Sequence, residues 1–201
     1  MEDRLVWVDC EMTGLNLSAD ALIEVACVIT DSELNELDEG ITVVVRPPDT
    51  ALVQMNDFVR NMHTESGLLP LLESGLDLAT AQEQVLDYIK SHVDEPLKAP
   101  LCGSSVYVDR GFIARDMPAV DQYLHYRVVD VSSFKEMIRR WYPKVYYASP
   151  DKHGGHRAMA DIRESIAELR YYREAVWVAP PGPDTTTARE ISKRHEIIAA
   201  D

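Results

Sequence analysis

The 201-residue sequence has few cysteines, few basic residues and no long apolar run, and each shortage excludes a class of protein. Its three cysteines, Cys10, Cys27 and Cys102, form no C-x-x-C pair and have no histidine at zinc-finger spacing. They predict reduced, buried thiols and not a disulfide framework. No segment approaches the roughly 20 apolar residues of a membrane span, and the N-terminus lacks a signal-peptide pattern. We therefore expect a cytoplasmic protein with no membrane partner.

Basic residues are scarce: 20 Lys and Arg stand against 34 Asp and Glu, for a formal net charge of −14. Non-specific affinity for nucleic acid comes from basic side chains that displace counterions from phosphates, so the composition argues against a track for long nucleic acid. The acids are concentrated at the start, because residues 1–40 contain eleven acids and one base, Arg4. Most of these acids are expected to form a solvated face.

The order of apolar segments is typical of one α/β domain. Five β-rich segments are predicted strands: 5–11, 22–30, 41–46, 100–105 and 127–131. Five segments with helical spacing are predicted helices: 54–62, 80–93, 108–115, 133–141 and 157–176. Three consecutive strands followed by alternating helices and strands predict a mixed sheet with helices packed on it.

Turn residues and caps predict the ends of these elements. A Thr-x-x-Glu capping box places Thr80 at the start of its helix. Segment 144–156, which contains Pro150 and two glycines, is predicted to be a loop of the kind that often carries function. The proline-rich stretch at 180–183 predicts a domain at 1–178 and a mobile polar tail at 179–201.

Two carboxylates stand out in the first predicted strand. Side chains alternate along a strand, so Asp9 and Glu11 share one face while Cys10 points to the other. Two like charges in an apolar strand are unfavourable unless a cation neutralises them, and oxygen ligands suit Mg²⁺ or Mn²⁺. A solvated strand end explains the pair equally well.

Three further residues are candidates on weaker grounds. Asp109 begins a predicted helix, where an acid is favoured by the helix dipole even without a metal. Asp161 lies among small apolar residues of the last predicted helix, which indicates burial against the sheet. His156 precedes that helix and is equally explained as a surface histidine.

In combination, these residues resemble the DEDDh 3′→5′ exonucleases, and among them the oligoribonucleases. The family's motifs occur in order, as Trp7–Leu15 (WVDCEMTGL), His125–Ser132 (HYRVVDVS) and Asp161–Leu169 (DIRESIAEL). The resemblance covers about residues 4–177. The sequence departs from the pattern at Ser104, where asparagine is commoner, and at Phe58, where tryptophan is usual.

This resemblance implies a ribonuclease-H-like fold, with a mixed five-stranded sheet flanked by helices. It also implies that Asp9, Glu11, Asp109 and Asp161 bind two divalent cations, Mg²⁺ or Mn²⁺, and that His156 is the general base. The reaction would be two-metal hydrolysis of very short oligoribonucleotides, dinucleotides in particular, to 5′-mononucleotides. The cofactors are thus metal ions, and the partner is short RNA.

The family pattern also implies a set of substrate-binding residues. Leu15 and Phe58 correspond to the side chains that sandwich the terminal bases, although both are also explained as core residues. Ser105, Arg127, Ser132 and Lys135 correspond to a cap over the 5′ phosphate, and Ser132 is equally explained as a helix N-cap. Family members are homodimers, so His125 and Tyr126 would lie near the partner's active site.

Two other functions remain open at this point. A DNA-directed or structured-RNA 3′ trimming exonuclease would need a positive groove, for which the chain offers these basic residues: Arg110, Arg115, Arg139, Arg140 and Lys144. A non-catalytic nucleotide-binding module on the same fold is the third possibility, although such a module has no need to hold four mutually repelling acids.

Overall fold

The computed structural model describes residues 3–151 and 155–196, and in these residues the predicted mixed sheet is confirmed. It has five strands: β1 Leu5–Met12, β2 Leu22–Thr30, β3 Ile41–Val44, β4 Pro100–Gly103 and β5 His125–Asp130. Their order across the sheet is β3-β2-β1-β4-β5. The pairs β1–β2 and β2–β3 are antiparallel, whereas β1–β4 and β4–β5 are parallel.

The central strands are apolar because helices cover both faces of the sheet. Every residue of β2 is buried, and β1 is buried except at Leu5 and Asp9, which are partly exposed. The described helices are α1 Asp49–Gln54, α2 Asp57–Glu65, α3 Leu78–His92, α4 Tyr107–Asp116, α5 Pro118–Tyr123, α6 Val131–Trp141, α7 Pro143–Tyr147, α8 Ala158–Val176 and α9 Thr185–Lys193, with a 3₁₀ helix at Leu69–Ser74. A nearly continuous apolar strand is what two covered faces require.

Two apolar cores lie on opposite faces of the sheet. One contains Val8 and Cys10 of β1 with residues of α3 and α4. The other contains Trp7 of β1 with Ile162 and Ile166 of α8. Because side chains alternate along β1, each one points to a single core. Asp9 and Glu11 point to the same face of the sheet as Trp7, which is the face covered by α8.

Several short elements differ from the predictions. The predicted helix at 54–62 is instead two helices, α1 and α2, and α5 was not predicted. The predicted loop at 144–156 contains α7, which starts at Pro143. The end of the predicted helix at 141 agrees with Pro143 as a helix stop, yet proline is equally suited to the first position of a helix, where no backbone N–H is needed.

The cap predicted at Thr80 is wrong. Helix α3 starts earlier, at Leu78, and its N-cap is Asp77, whose carboxylate accepts a hydrogen bond from the Thr80 backbone N–H. Aspartate is among the strongest N-cap residues, so Asp77 caps the helix in place of Thr80, three residues later.

Other expectations concern the cysteines, membrane helices and the ends of the chain. All three cysteines are free and buried. Within the described ranges, no helix has both the length and the apolarity to cross a membrane. The segment predicted as a mobile tail contains α9, capped by Asp184. Residues 152–154 of the predicted loop and 197–201 of the predicted tail lie outside the described residues.

Candidate active site

Three carboxylates meet on the α8 face of the sheet. Oxygen atoms of Asp9 and Glu11 on β1 and of Asp161 on α8 all lie within 4.8 Å of one another. Glu11 is buried, and the other two are partly buried. The strand spacing correctly predicts that Asp9 and Glu11 share a face, and their burial excludes the alternative of a solvated strand end.

Asp109 approaches the same strand from the other side. It lies in the first turn of α4 and is buried, and its Oδ1 accepts a hydrogen bond of 2.9 Å from the backbone N–H of Cys10. The register of β1 with β4 covers Val6 and Trp7 and does not extend to Cys10, where Asp109 accepts the bond instead. Asp109 thus reaches across to the strand segment between Asp9 and Glu11, which simple helix capping does not explain.

Gly103, at the end of β4, permits this arrangement. A Cβ at this position would lie 2.9 Å from the carbonyl oxygen of Val8 and 3.0 Å from a side-chain carbon of Val106. Any larger residue would push β4 and the start of α4 away from β1. The glycine therefore lets the chain that leads to Asp109 run close to the strand that carries Asp9.

Burial dominates the electrostatics of these acids. It raises the pKa of Asp9 to about 9, and repulsion from Asp109, Asp161 and Glu11 adds to the effect. Burial likewise raises the pKa of Glu11 to about 8, although the nearby Arg157 lowers it. The pKa of Asp109 rises to about 7 through burial, opposed by the hydrogen bond from Cys10. Such a cluster is favourable for a divalent cation, which compensates charges that water no longer solvates.

His156 lies immediately before α8 and is exposed. Its backbone has a φ of 47°, in the left-handed region that residues other than glycine seldom adopt. The adjacent Arg157 is the N-cap residue of α8. His156 is therefore five residues before Asp161 in the sequence, just outside the N-terminal end of the helix that carries this acid.

His63 belongs to the site but was not predicted. It is fully buried on α2, and its Nε2 lies 2.9 Å from the carbonyl oxygen of Met12 at the end of β1. Its Nδ1 is 4.0 Å from Oε2 of Glu11. Burial lowers the pKa of His63, and His156 contributes to that shift, which places the two rings within electrostatic range. A lone histidine in a short amphipathic helix has no sequence signal that distinguishes this position.

Glu24 and Arg157 were also missed. Glu24 lies on β2 directly opposite Glu11 and is completely buried, and its carboxylate accepts hydrogen bonds from the Arg157 guanidinium. The sequence does hold a signal, because an acid in the middle of the apolar segment LIEVACVIT needs a partner. It does not reveal which cation supplies the charge.

Leu15 and Phe58 are both on the surface, so the explanation of either as a core residue is wrong. Their side chains are 75% and 77% exposed. Leu15 lies in the loop after β1, which Asp20 holds by accepting hydrogen bonds from the Thr13 hydroxyl and the Asn16 backbone N–H. The guanidinium of Arg115, on α4, donates to the backbone oxygens of Leu17 and Asp20 and joins this loop to α4.

Two of the predicted phosphate ligands lie together. The hydroxyl oxygen of Ser132 is 3.0 Å from that of Ser105 and 3.1 Å from that of Ser104. Asp130 orders the group, because its Oδ1 accepts from the backbone N–H groups of both Ser105 and Ser132. Helix α6 begins at Val131 with Asp130 as N-cap, so the alternative explanation of Ser132 as the cap is wrong.

The other predicted substrate residues have different surroundings. Tyr126 is exposed on β5 and stacks on His125, and its hydroxyl accepts a hydrogen bond from Nε of Arg127. Lys135, on α6, forms an ion pair of 2.9 Å with buried Glu168. The structure therefore brings the serines together, whereas Arg127 lies along the edge strand and the Lys135 ammonium contacts α8.

Comparisons with known proteins agree with this architecture. A family model described as exonuclease, of the RNase T type, matches residues 6–169. The oligoribonuclease of Streptomyces avermitilis is 65% identical over 199 residues, which cover 99% of this chain and 100% of that one. The oligoribonuclease of Cutibacterium acnes is 56% identical over 192 residues, which cover 96% of this chain and 95% of that one.

Solved structures show the same fold at low identity. Zinc-bound E. coli exonuclease I in complex with single-stranded DNA is 18% identical, with a TM-score of 0.67. The match covers 88% of this chain but 41% of that chain, so this chain corresponds to less than half of exonuclease I. With the carboxylate cluster and the extent of the sequence matches, the chain belongs to the exonuclease family, and within it to the oligoribonucleases.

Proposed function

We propose that this protein is a metal-dependent 3′→5′ exoribonuclease that hydrolyses very short oligoribonucleotides, dinucleotides in particular, to 5′-mononucleotides. The observation that carries the proposal is the convergence of Asp9, Glu11 and Asp161 within 4.8 Å on a nuclease-type sheet. The names of its relatives agree with this substrate class. We assign the reaction to a domain at residues 1–178 and give the segment from residue 179 onward no part in it.

The carboxylates fit divalent metal ions. Their oxygens are hard donors at ligand spacing, and burial and mutual repulsion raise the pKa values of Asp9 and Glu11, which a divalent cation would counteract. Asp9, Glu11, Asp109 and Asp161 would hold two Mg²⁺ or Mn²⁺ ions. When bound, such ions lower the pKa of water and stabilise the charge that develops on phosphate oxygens.

His156 is the general base in this proposal. Its imidazole takes a proton from the water whose oxygen bonds to the phosphorus, the bond from phosphorus to the 3′ oxygen of the preceding nucleotide breaks, and that 3′ oxygen takes up a proton from solvent. The products are a 5′-mononucleotide and an RNA one residue shorter. The position of His156, open to solvent and just before the helix that carries Asp161, supports this role.

Two sets of side chains set the substrate length, one that stacks on the bases and one that binds the 5′ phosphate. The exposed side chains of Leu15 and Phe58 stack against the bases, which is favourable by about 1–3 kcal/mol per base. Ser105, Ser132 and Arg127 bind the 5′ phosphate. Lys135 adds positive charge one helical turn from Ser132 while its ammonium remains near Glu168.

A homodimer completes the proposal. β5 is an edge strand, and it exposes Tyr126 and Val128. An exposed apolar edge favours pairing with another chain. A second copy at this edge would bring Tyr126 near the partner's site. The three buried, free cysteines suit a reducing compartment, the cytoplasm.

The proposal is tested with 5′-labelled RNAs of two to ten nucleotides, in Mg²⁺ or Mn²⁺. We expect the dinucleotide to be hydrolysed fastest and Asp161→Asn to lose activity. Glu174→Gln, which removes an exposed charge from the same helix, is the matched control and should keep it. Equal or faster loss of the longer RNAs would contradict the length preference, and full activity of Asp161→Asn would contradict the mechanism.

The alternative of a long-strand trimming exonuclease has less support. Its positive groove would need five basic residues, of which Lys144 lies on α7 and the others on α4 and α6. The four arginines pair with acids, as Arg110–Asp121, Arg115–Asp116, Arg139–Glu136 and Arg140–Glu136. Preference for long strands with steep salt dependence would favour this alternative.

Tight dinucleotide binding without turnover in saturating metal would favour the other alternative, a non-catalytic nucleotide-binding module.

A further inference from the structure

The start of α8 is held by an acid from another element. Both oxygens of Glu24 are in use: Oε1 accepts from Nη2 and Nε of Arg157 at 2.7 and 3.1 Å, and Oε2 accepts from the Ala158 backbone N–H at 3.0 Å. Glu24 and Ala158 are completely buried. Charged hydrogen bonds of this kind, made to a buried carboxylate, are strong and directional.

Glu24 is on the metal-binding face but does not have the surroundings of a ligand. In the register of β1 and β2 it is directly opposite Glu11. The carboxylates close enough to share an ion are Asp9, Glu11 and Asp161. Because a guanidinium and a backbone N–H already occupy both oxygens of Glu24, its function is separate from that of the three clustered acids.

The backbone that Glu24 holds has weak local support. The N-cap residue of α8 is Arg157, whose side chain makes no capping hydrogen bond. The preceding residue, His156, has a positive φ of 47°, a conformation that is unfavourable for a residue with a Cβ. Glu24 thus supplies the cap that the local sequence lacks, from 134 residues away along the chain.

We propose that Glu24 and Arg157 are positioning residues that hold the left-handed turn at His156 and the first turn of α8, so that the His156 imidazole and the Asp161 carboxylate face β1. This inference rests on the proposed function, in which these two side chains act together. Neither Glu24 nor Arg157 contacts the substrate in this role.

The rest of α8 is anchored independently of Glu24. Farther along the helix, Arg163 pairs with Glu36, and Arg173 pairs with Glu33. Ile162 and Ile166 are buried in the core on this face. Removal of the Glu24 carboxylate is therefore expected to loosen the first turn of the helix and leave the remainder in place.

The first measurement is steady-state hydrolysis of a dinucleotide by Glu24→Gln, Arg157→Gln and Arg157→Lys. Misplacement of a reacting group by about 1 Å lowers rates by about 100-fold, so we expect kcat to fall about 10- to 100-fold in the two glutamine variants. KM should change little, because the base and phosphate contacts are elsewhere. Arg157→Lys keeps the charge and should retain more activity than Arg157→Gln. The control Arg163→Gln removes another ion pair of α8 and should leave kcat unchanged.

The second measurement is amide hydrogen exchange in the metal-free proteins, which does not depend on activity. Exchange in a peptide spanning 157–163 should be faster in Glu24→Gln and Arg157→Gln than in the wild type, whereas a peptide spanning 166–176 should be unchanged. Arg163→Gln should not show this difference.

The outcomes separate the two proposals. Wild-type kcat in Glu24→Gln, a change in KM alone, or faster exchange along the whole of α8 would overturn the positioning role. If the wild type hydrolyses no dinucleotide, the proposed function fails. Independently of activity, unchanged hydrogen exchange at 157–163 in Glu24→Gln would overturn the role of Glu24 as the cap of α8.

Discussion

The carboxyl groups of Asp9, Glu11 and Asp109 lie in surroundings that favour their protonated forms. Their pKa values are raised to about 9, 8 and 7, chiefly by burial. In the unfolded chain the same groups lose their protons near pH 4. Between these values the folded state holds protons that the unfolded state has released, so folding becomes less favourable as the pH rises.

We therefore predict that the metal-free protein loses thermal stability as the pH is raised from 5 to 9, with the loss ending above the pKa of Asp9. Mg²⁺ or Mn²⁺ should raise the Tm more at pH 8 than at pH 6, because fewer protons must then be displaced. Thermal unfolding in EDTA and in added metal measures both effects. Asp9→Asn should flatten the pH dependence of the metal-free protein, and a Tm that rises from pH 5 to 9 would contradict this account.

The second residue-scale prediction concerns His156. Loss of a general base lowers rates by about 10²- to 10⁴-fold, so His156→Asn should reduce kcat by that range. Because His156 is exposed, the Tm should change little. Steady-state kinetics and thermal unfolding of this variant check both statements. Exposed His195, far along the chain, provides the matched His195→Asn control, which should keep full activity.

At the scale of elements, helix α2 connects the end of β1 to Phe58, the side chain that is proposed to stack on a nucleotide base. His63 joins α2 to the last residue of β1 through the Met12 carbonyl oxygen, and the same helix presents Phe58 to solvent. An exposed aromatic side chain of this kind contributes little to the core. A fixed helix can, however, hold it in one place relative to the carboxylates.

We predict that Phe58→Ala lowers kcat/KM for dinucleotides by about 5- to 150-fold, which corresponds to about 1–3 kcal/mol of stacking. The Tm should remain near that of the wild type, because the side chain is 77% exposed. Val53→Ala, at a similarly exposed position on α1, is the control and should leave kcat/KM unchanged. An equal loss in both variants would indicate a general effect of apolar surface and not stacking.

Element boundaries show how far local patterns can predict this fold. Long apolar segments such as β2 and periodic ones such as α8 were predicted nearly to the residue, because each pattern repeats over several turns or pleats. Short helices were missed, since α1 and α5 have six residues each and depend on tertiary packing. The prolines at the start of α5 and α7 are also ambiguous in the sequence, because proline occurs both after the end of a helix and at the first position of the next one.

At the scale of the whole molecule, the net charge of −14 is compatible with a small enclosed substrate and unfavourable for a long one. Four arginines of α4 and α6 pair with acids, which reduces the positive charge that these helices can offer to a long strand. Strand β5, at the edge of the sheet, exposes Tyr126 and Val128.

We predict that Val128→Lys, on the edge strand β5, weakens self-association and lowers dinucleotide hydrolysis. A charge at the centre of an exposed edge opposes strand pairing. Size-exclusion chromatography with light scattering would measure the mass, and kinetics at matched concentrations would measure the activity. Leu71→Lys, on the 3₁₀ helix, is the control at an equally exposed leucine and should affect neither quantity. A monomeric wild type with full activity would contradict the dimer proposal.

The sequence by itself determined the order of strands and helices and the parity of Asp9 and Glu11, because strand and helix periodicities are local properties. It also supplied the motifs that identify the family. Only the tertiary structure shows the contacts that these acids make. Asp161 lies beside Asp9 and Glu11 of β1, and Asp109 accepts a hydrogen bond from the Cys10 N–H. Glu24 forms an ion pair with Arg157. These contacts join residues about a hundred or more positions apart, and they depend on how helices pack on the sheet, which no local pattern encodes.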